Sequence, residues 1–211
     1  FGAAVIGRVL EHAGYRVALV PQPNWRDDLR DFKKFGKPRL YFAVSAGAMD
    51  SMVNHYTANK RLRSNDAYTP GGQAGFRPDY ATVVYSNILK RLYPDVPVVI
   101  GGIEASLRRV THYDYWSDGL KPSILVDSKA DMGVYGMGEL TMVEIADALA
   151  QGNKIEELNG VRQTFFLQAA QKVLPPFEGE TIELVSHETC LKDKRAYASN
   201  FRHVEEESNK K

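Results

Sequence analysis

Two glycine turns carry the residue types best suited to holding an anionic ligand: Ile100-Gly101-Gly102-Ile103-Glu104-Ala105-Ser106 and Tyr135-Gly136-Met137-Gly138-Glu139. Each follows an apolar run and opens a helical pattern. At such a junction the free N–H groups of the helix start attract negative charge, and glycine lets a ligand come close to the backbone. Gly101, Gly102, Glu104, Gly136, Gly138 and Glu139 are therefore the candidate cofactor-binding residues. The second turn begins like a dinucleotide fingerprint, but Thr141 stands where the third glycine belongs, and no strand-ending acid follows at the usual distance. The plainer alternative is that both turns only reverse the chain, with Glu139 complementing a helix dipole.

Two further clusters join rings to charges. His55-Tyr56-Thr57-Ala58-Asn59-Lys60-Arg61-Leu62-Arg63 combines an imidazole, a phenol and three cations, a set that suits phosphate or RNA. His112-Tyr113-Asp114-Tyr115-Trp116-Ser117-Asp118 concentrates rings and carboxylates that suit a pocket wall or a base-stacking platform. Asn54, His55, Lys60, Arg61, His112 and Tyr113 are the substrate-binding candidates. Against them stand a solvated loop for the first cluster and a loop packed on a neighbouring domain for the second. The five histidines lack the close pairing of a helical metal site, Cys190 has no partner motif, and no Gly-x-Ser-x-Gly elbow occurs. Acid–base work by Glu104 or Glu139 stays open.

These residues need elements to position them. Val5, Ile6, Val9, Leu10 and Ala13 recur at helical spacing up to Gly14, which predicts a helix over residues 1–14. Residues 16–20 and 40–44 are apolar runs without polar alternation, as in strands buried on both faces of a parallel sheet. Residues 57–79 read as a long loop, and Asp79 as the cap of a helix carrying Val84, Ile88, Leu89 and Leu92. Val98-Val99-Ile100 and Met132-Gly133-Val134-Tyr135 read as strands, the latter followed by a helix with Met142, Ile145, Ala146 and Leu149 on one face. Beyond Asn153 the pattern loosens: residues 164–167 and 182–185 read as strands around Pro175-Pro176, and residues 187–207 as a long, charged, solvent-facing helix. Alternating helix and strand predicts an α/β fold with a doubly wound, mostly parallel, Rossmann-like sheet over residues 1–152, and a looser C-terminal extension over 153–211.

Composition sets the outer limits. Of 211 residues, 44% are hydrophobic and 25% charged, the balance of a soluble globular protein, and the net charge of +1 gives no global field toward nucleic acid or an anionic membrane. A single cysteine excludes a disulfide framework and an iron–sulfur cluster held by this chain's own thiolates. No run approaches the roughly 18 apolar residues of a membrane span, so the expectation is a cytoplasmic protein. The opening Phe1-Gly2-Ala3 and the closing Asn209-Lys210-Lys211 lead to the expectation that both ends are cut from something longer, with a first strand upstream.

Longer blocks are more specific than any of these turns. Asp50-Ser51-Met52-Val53-Asn54-His55-Tyr56-Thr57-Ala58-Asn59-Lys60, Asp66-Ala67-Tyr68-Thr69-Pro70-Gly71-Gly72, Val99-Ile100-Gly101-Gly102-Ile103-Glu104-Ala105-Ser106-Leu107-Arg108-Arg109, the His112 to Asp118 cluster and Asp127-Ser128-Lys129-Ala130-Asp131 closely resemble the YgiQ-type uncharacterised radical SAM proteins over essentially the whole chain. That resemblance implies a non-catalytic N-terminal region, partnered by the radical SAM barrel of the same chain. There, three cysteines in a C-x-x-x-C-x-x-C motif would hold a [4Fe–4S] cluster and S-adenosylmethionine would be cleaved to a 5′-deoxyadenosyl radical. Cys190 does not match that motif. The Gly101-Gly102 strand end and the Gly136-Met137-Gly138-Glu139 turn are also similar to the cobalamin-binding domains that precede many such barrels. No histidine here lies in the Asp-x-His-x-x-Gly context that would supply cobalamin's lower ligand. The competing expectation is an RNA- or protein-binding module built on Lys60 to Arg63 and Tyr113 to Trp116.

Overall fold

Val98, Val99 and Ile100 are all buried because the strand they form has packing partners on both of its faces. The computed structural model describes residues 1–172 and 179–209. Its elements run α1 (Gly2–His12), α2 (Arg30–Lys33), β1 (Phe42–Ser45), α3 (Ser51–His55), α4 (Ala81–Leu92), β2 (Val98–Gly101), α5 (Gly102–Leu107), β3 (His112–Asp114), β4 (Gly119–Lys121), α6 (Ile124–Ser128), β5 (Met132–Val134), α7 (Glu139–Ala150), β6 (Thr164–Phe165), α8 (His187–Lys192) and α9 (Lys194–Ser208). The main sheet has the order β1-β2-β5-β6, parallel except for β6.

Alternation along β2 divides the core. Val98 and Ile100 pack with Val44 against Tyr85, Ile88 and Leu89 of α4 and Ile124 and Leu125 of α6. Val99 joins Met132 and Val134 against Met142 and Ile145 of α7, with Ile155 and Leu158 completing that face. Helices on both sides of a parallel sheet are the expected α/β arrangement. Ile155, Leu158 and the fourth strand β6 all lie beyond residue 152. Among the described residues, no helix is long and apolar enough to cross a membrane.

Several local expectations are corrected. Residues 16–20 form no strand: they run along α1, where Val17 and Leu19 cover Gly7, and Leu19 is half exposed. Their β-rich composition describes a side-chain preference, and a strand also needs a ladder partner. Residues 182–185 form no strand either. The Asn200 side chain takes the partner's place, its Oδ1 accepting from the Val185 N–H and its Nδ2 donating to the Val185 carbonyl, both at 2.8 Å. The long helix expected over 187–207 is broken at Asp193, whose extended backbone and carboxylate cap α9 through the Arg195 N–H. It is also not wholly solvent-facing, since Cys190 and Asn200 are buried. Asp79 does not cap α4; Tyr80 occupies that position in a left-handed conformation (φ 50°), without a side-chain cap bond. The His112 to Asp118 cluster, weighed as a pocket wall or stacking platform against a packed loop, is the β3–β4 hairpin and its turn. Pro175-Pro176 and Lys210-Lys211 fall outside the described residues.

Gly133 of β5 faces Phe165 of β6, and a Cβ on it would come within 2.0–2.6 Å of three ring atoms. Gly133→Ala is therefore expected to destabilise the fold by about 1–3 kcal/mol, read as a lowered thermal midpoint. The penalty should vanish when Phe165→Ala removes the ring. An equal penalty with and without the ring would exclude this clash as its source.

Candidate functional site

The two glycine turns meet at the carboxyl edge of the parallel strands. Gly102, directly after β2, has φ 81°, and a Cβ there would lie 2.6 Å from Ser45 Oγ at the end of β1. Left-handed backbone and close approach both call for glycine. The Gly136 N–H (φ 70°) donates to Ser106 Oγ of α5 at 3.3 Å, tying the second turn to the first. A Cβ on Gly138 would meet Val134 Cγ1 at 2.6 Å. Glu139 stands in the first turn of α7. Arg109 stacks on Tyr135 at 5.1 Å and anchors itself on the Ser106 carbonyl. Gly101, Gly102, Gly136, Gly138 and Glu139 thus share one edge, with Gly102 and Gly136 open to solvent.

Glu104 is different. It is 1% exposed, and its carboxylate is filled by protein donors: the Ser51 N–H at 2.9 Å, the Ser51 hydroxyl at 2.6 Å and the Thr82 N–H at 2.9 Å. The carboxylate thereby joins α3, α4 and α5, and it presents no oxygen to a ligand.

Around it lies a buried ionic layer that local motif reading missed. Asp50 caps α3 through the Met52 and Val53 N–H groups and pairs with Arg108 just after α5. Arg77 donates to the Ala46 carbonyl and pairs with Asp66 at 3.4 Å. Burial acts to raise the Asp66 pKa, but the Tyr68 N–H, Asn54, Thr69 and Arg77 outweigh it and hold the carboxyl below its usual range. Asp114 behaves likewise: burial is outweighed by Ser117, Tyr80 and Lys121. Burial, then the bond to Asp114, pushes the Tyr80 phenol up. The Asp50-Ser51 pair carries a legible capping signal. The other partners are far apart in sequence and left none.

The substrate-binding candidates divide. Asn54 and His55 are buried on α3. Asp79 accepts from His55 Nδ1 at 2.7 Å and from the Tyr56 hydroxyl at 2.7 Å, while His55 Nε2 is buried without a partner. Lys60 and Arg61 are exposed, and the loop carrying them meets the hairpin turn. Lys60 Nζ lies 4.8 Å from the Tyr115 ring centre and donates to the Trp116 carbonyl at 3.3 Å, and the Trp116 ring packs tilted against Tyr56 and edge-on against Tyr115. Tyr113 is half exposed and bonded to Asp118; His112 is partly buried, and burial lowers its pKa. The hairpin also touches the C-terminal helices, through Tyr113 N–H to Tyr197 and Thr111 to His187. No group of three or more His, Cys, Asp or Glu residues is arranged for a metal among the described residues.

Because three donors converge on Glu104, Glu104→Gln sets an NH2 group against at least one of them. A loss of about 1.5–3 kcal/mol is expected in chemical denaturation. Glu139→Gln, at an unpaired helix start, should change stability by no more than about 1 kcal/mol. Equal stability of Glu104→Gln and parent would remove Glu104 as the tie between the three helices.

A family model described as Radical SAM N-terminal matches residues 1–211. The UPF0313 protein of Porphyromonas gingivalis is 61% identical over 210 residues, covering 100% of this chain and 33% of its own length. The UPF0313 protein of Bacteroides thetaiotaomicron is 58% identical over 221 residues, covering 100% of this chain and 35% of its own length. That of Pseudomonas syringae is 55% identical over 168 residues, or 80% of this chain and 22% of the relative. The chain thus spans about a third of the length of the first two. No solved structure matches it. With the match running through the glycine turns, the ionic layer and the hairpin alike, the chain belongs to the Radical SAM N-terminal family.

Proposed function

We propose that this chain is the accessory N-terminal domain of a radical SAM enzyme. The larger remainder of the protein would bind a [4Fe–4S] cluster and S-adenosylmethionine, and this domain, inactive alone, would shape the substrate or cofactor site with the carboxyl edge of its sheet. The observation that carries the reading is the pair of open glycine turns at Gly102 and Gly136, in a chain whose family is Radical SAM N-terminal. The residues present do not fit the cluster. Cys190 is buried between the Val185 carbonyl and the Asn200 amide, and it is the chain's single thiol. They do not fit a cobalamin lower ligand at the strand ends either, since His55, on the helix after β1, is buried and bound to Asp79. What these residues do is hold a rigid edge: Arg108 and Asp50 fix α5 to α3, and the Ser106 hydroxyl fixes the Gly136 turn beside it. When bound by the remainder, the cluster would supply the electron that splits S-adenosylmethionine.

The full-length protein, purified anaerobically and reconstituted with iron and sulfide, should show the broad visible absorption of a [4Fe–4S] cluster and, with dithionite added as the electron donor, release 5′-deoxyadenosine from S-adenosylmethionine. Absence of both removes the enzymatic reading.

A second reading, single-stranded RNA binding, draws support from the contact of the Lys60 loop with the Tyr115 and Trp116 rings. If Lys60 and Arg61 touch phosphates, replacing both with Glu in the full-length protein should flatten the log–log salt dependence of RNA affinity by about 1.4. Salt-insensitive binding, or none, excludes this reading.

A further inference from the structure

Four exposed apolar side chains stand on the two segments that meet at the carboxyl edge. Ile103 and Leu107, one turn apart on α5, are 45% and 58% exposed, while Met137 in the second glycine turn and Leu140 in the first turn of α7 are 81% and 83% exposed. The Gly136 N–H to Ser106 Oγ bond joins the two pieces, and Leu107 and Met137 flank that bond in sequence. Helix α7 already buries Met142, Ile145 and Ala146 against the sheet, so Leu140 is a second apolar contribution that the domain itself leaves uncovered. Arg109 stacked on Tyr135 supplies a cationic aromatic rim. An apolar centre with a polar rim is the anatomy of an interface.

We infer that this edge is the docking surface for the remaining two-thirds of the full-length polypeptide, with Leu107, Met137 and Leu140 at its centre. The inference rests on the reading above for the identity of that remainder. Length argues for this occupant: the chain covers only 33% and 35% of the two relatives above that match all of it, so a much larger body is tethered to it there. A tethered partner starts at an effective concentration on the order of millimolar, so a small patch suffices. A free second copy has no tether, and its contacts would have to offset the translational and rotational freedom it loses on binding.

Hydroxyl-radical footprinting of the full-length protein tests the inference. Met137 should oxidise at least about tenfold more slowly in the unaltered protein than in Leu107→Glu/Leu140→Glu, because the undocked state is then a minor population. Phe35, exposed elsewhere, should react equally in both. Equal Met137 rates in the two proteins would overturn the proposal, as would protection seen only at concentrations where light scattering reports a dimer. Should the double variant fail to fold, hydrogen exchange in the unaltered protein decides. First-turn amides lack intrahelical acceptors, so protection of about 100-fold or more across residues 137–141 supports docking, and free exchange overturns it. Cluster content, read separately by visible absorption, distinguishes this result from the enzymatic reading: Met137 protected in a protein that binds no cluster supports docking while removing the radical chemistry.

Discussion

One buried carboxylate organises the upper half of this domain. Glu104 accepts from a backbone N–H on α3, from a hydroxyl on the same residue and from a backbone N–H at the start of α4. Helix starts carry unpaired donors, and a charge in low dielectric is tolerated only where its lone pairs are satisfied. Here each requirement answers the other. Helices α3 and α4 begin where they do because their donors have an acceptor, and that acceptor sits on a helix fixed by the end of β2. The open glycine turns inherit their rigidity from this arrangement, since Gly102 and Ser106 stand on the same short helix as Glu104.

The neighbouring pairs extend that logic. Arg77 holds the chain leaving β1 by its carbonyls while neutralising Asp66, and Arg108 joins the cap of α3 to the end of α5. Such pairs add little net stability compared with apolar packing, but removing one partner leaves a costly uncompensated charge. Their value here is geometric. Each fixes an irregular segment that has little apolar side chain to bury, including much of the loop between α3 and α4.

The sequence made the central architecture legible because periodicity reports burial directly. Val98, Val99 and Ile100 could be read as a two-sided strand, and Met142, Ile145 and Ala146 as the inner face of α7, without any tertiary information. It failed where the deciding partner is distant. Residues 16–20 have a strand's composition and no ladder, and Asp79 has a cap's position but serves His55 and Tyr56 instead. Glu104 stands among the candidate cofactor-binding residues on the strength of its turn, yet one-dimensional spacing does not tell a carboxylate open to ligand from one already saturated by its own fold. The meeting of Lys60 with Tyr115 joins a loop and a hairpin turn more than fifty residues apart, and the Asp118-Gly119 pair that closes the turn (φ 52° at Asp118) announces the hairpin but not what lies against it.

The Asn200 amide has a consequence of a different kind. It engages Val185 at both backbone groups and also donates to Cys190 Sγ. Aspartate matches asparagine in shape, but it would place an oxygen against the Val185 carbonyl, acceptor facing acceptor. Exchange of Asn200 for Asp would therefore unlatch α9 from residue 185 without altering the volume of a single side chain. The seating of the C-terminal helices thus depends on the polarity of one amide and not on its size.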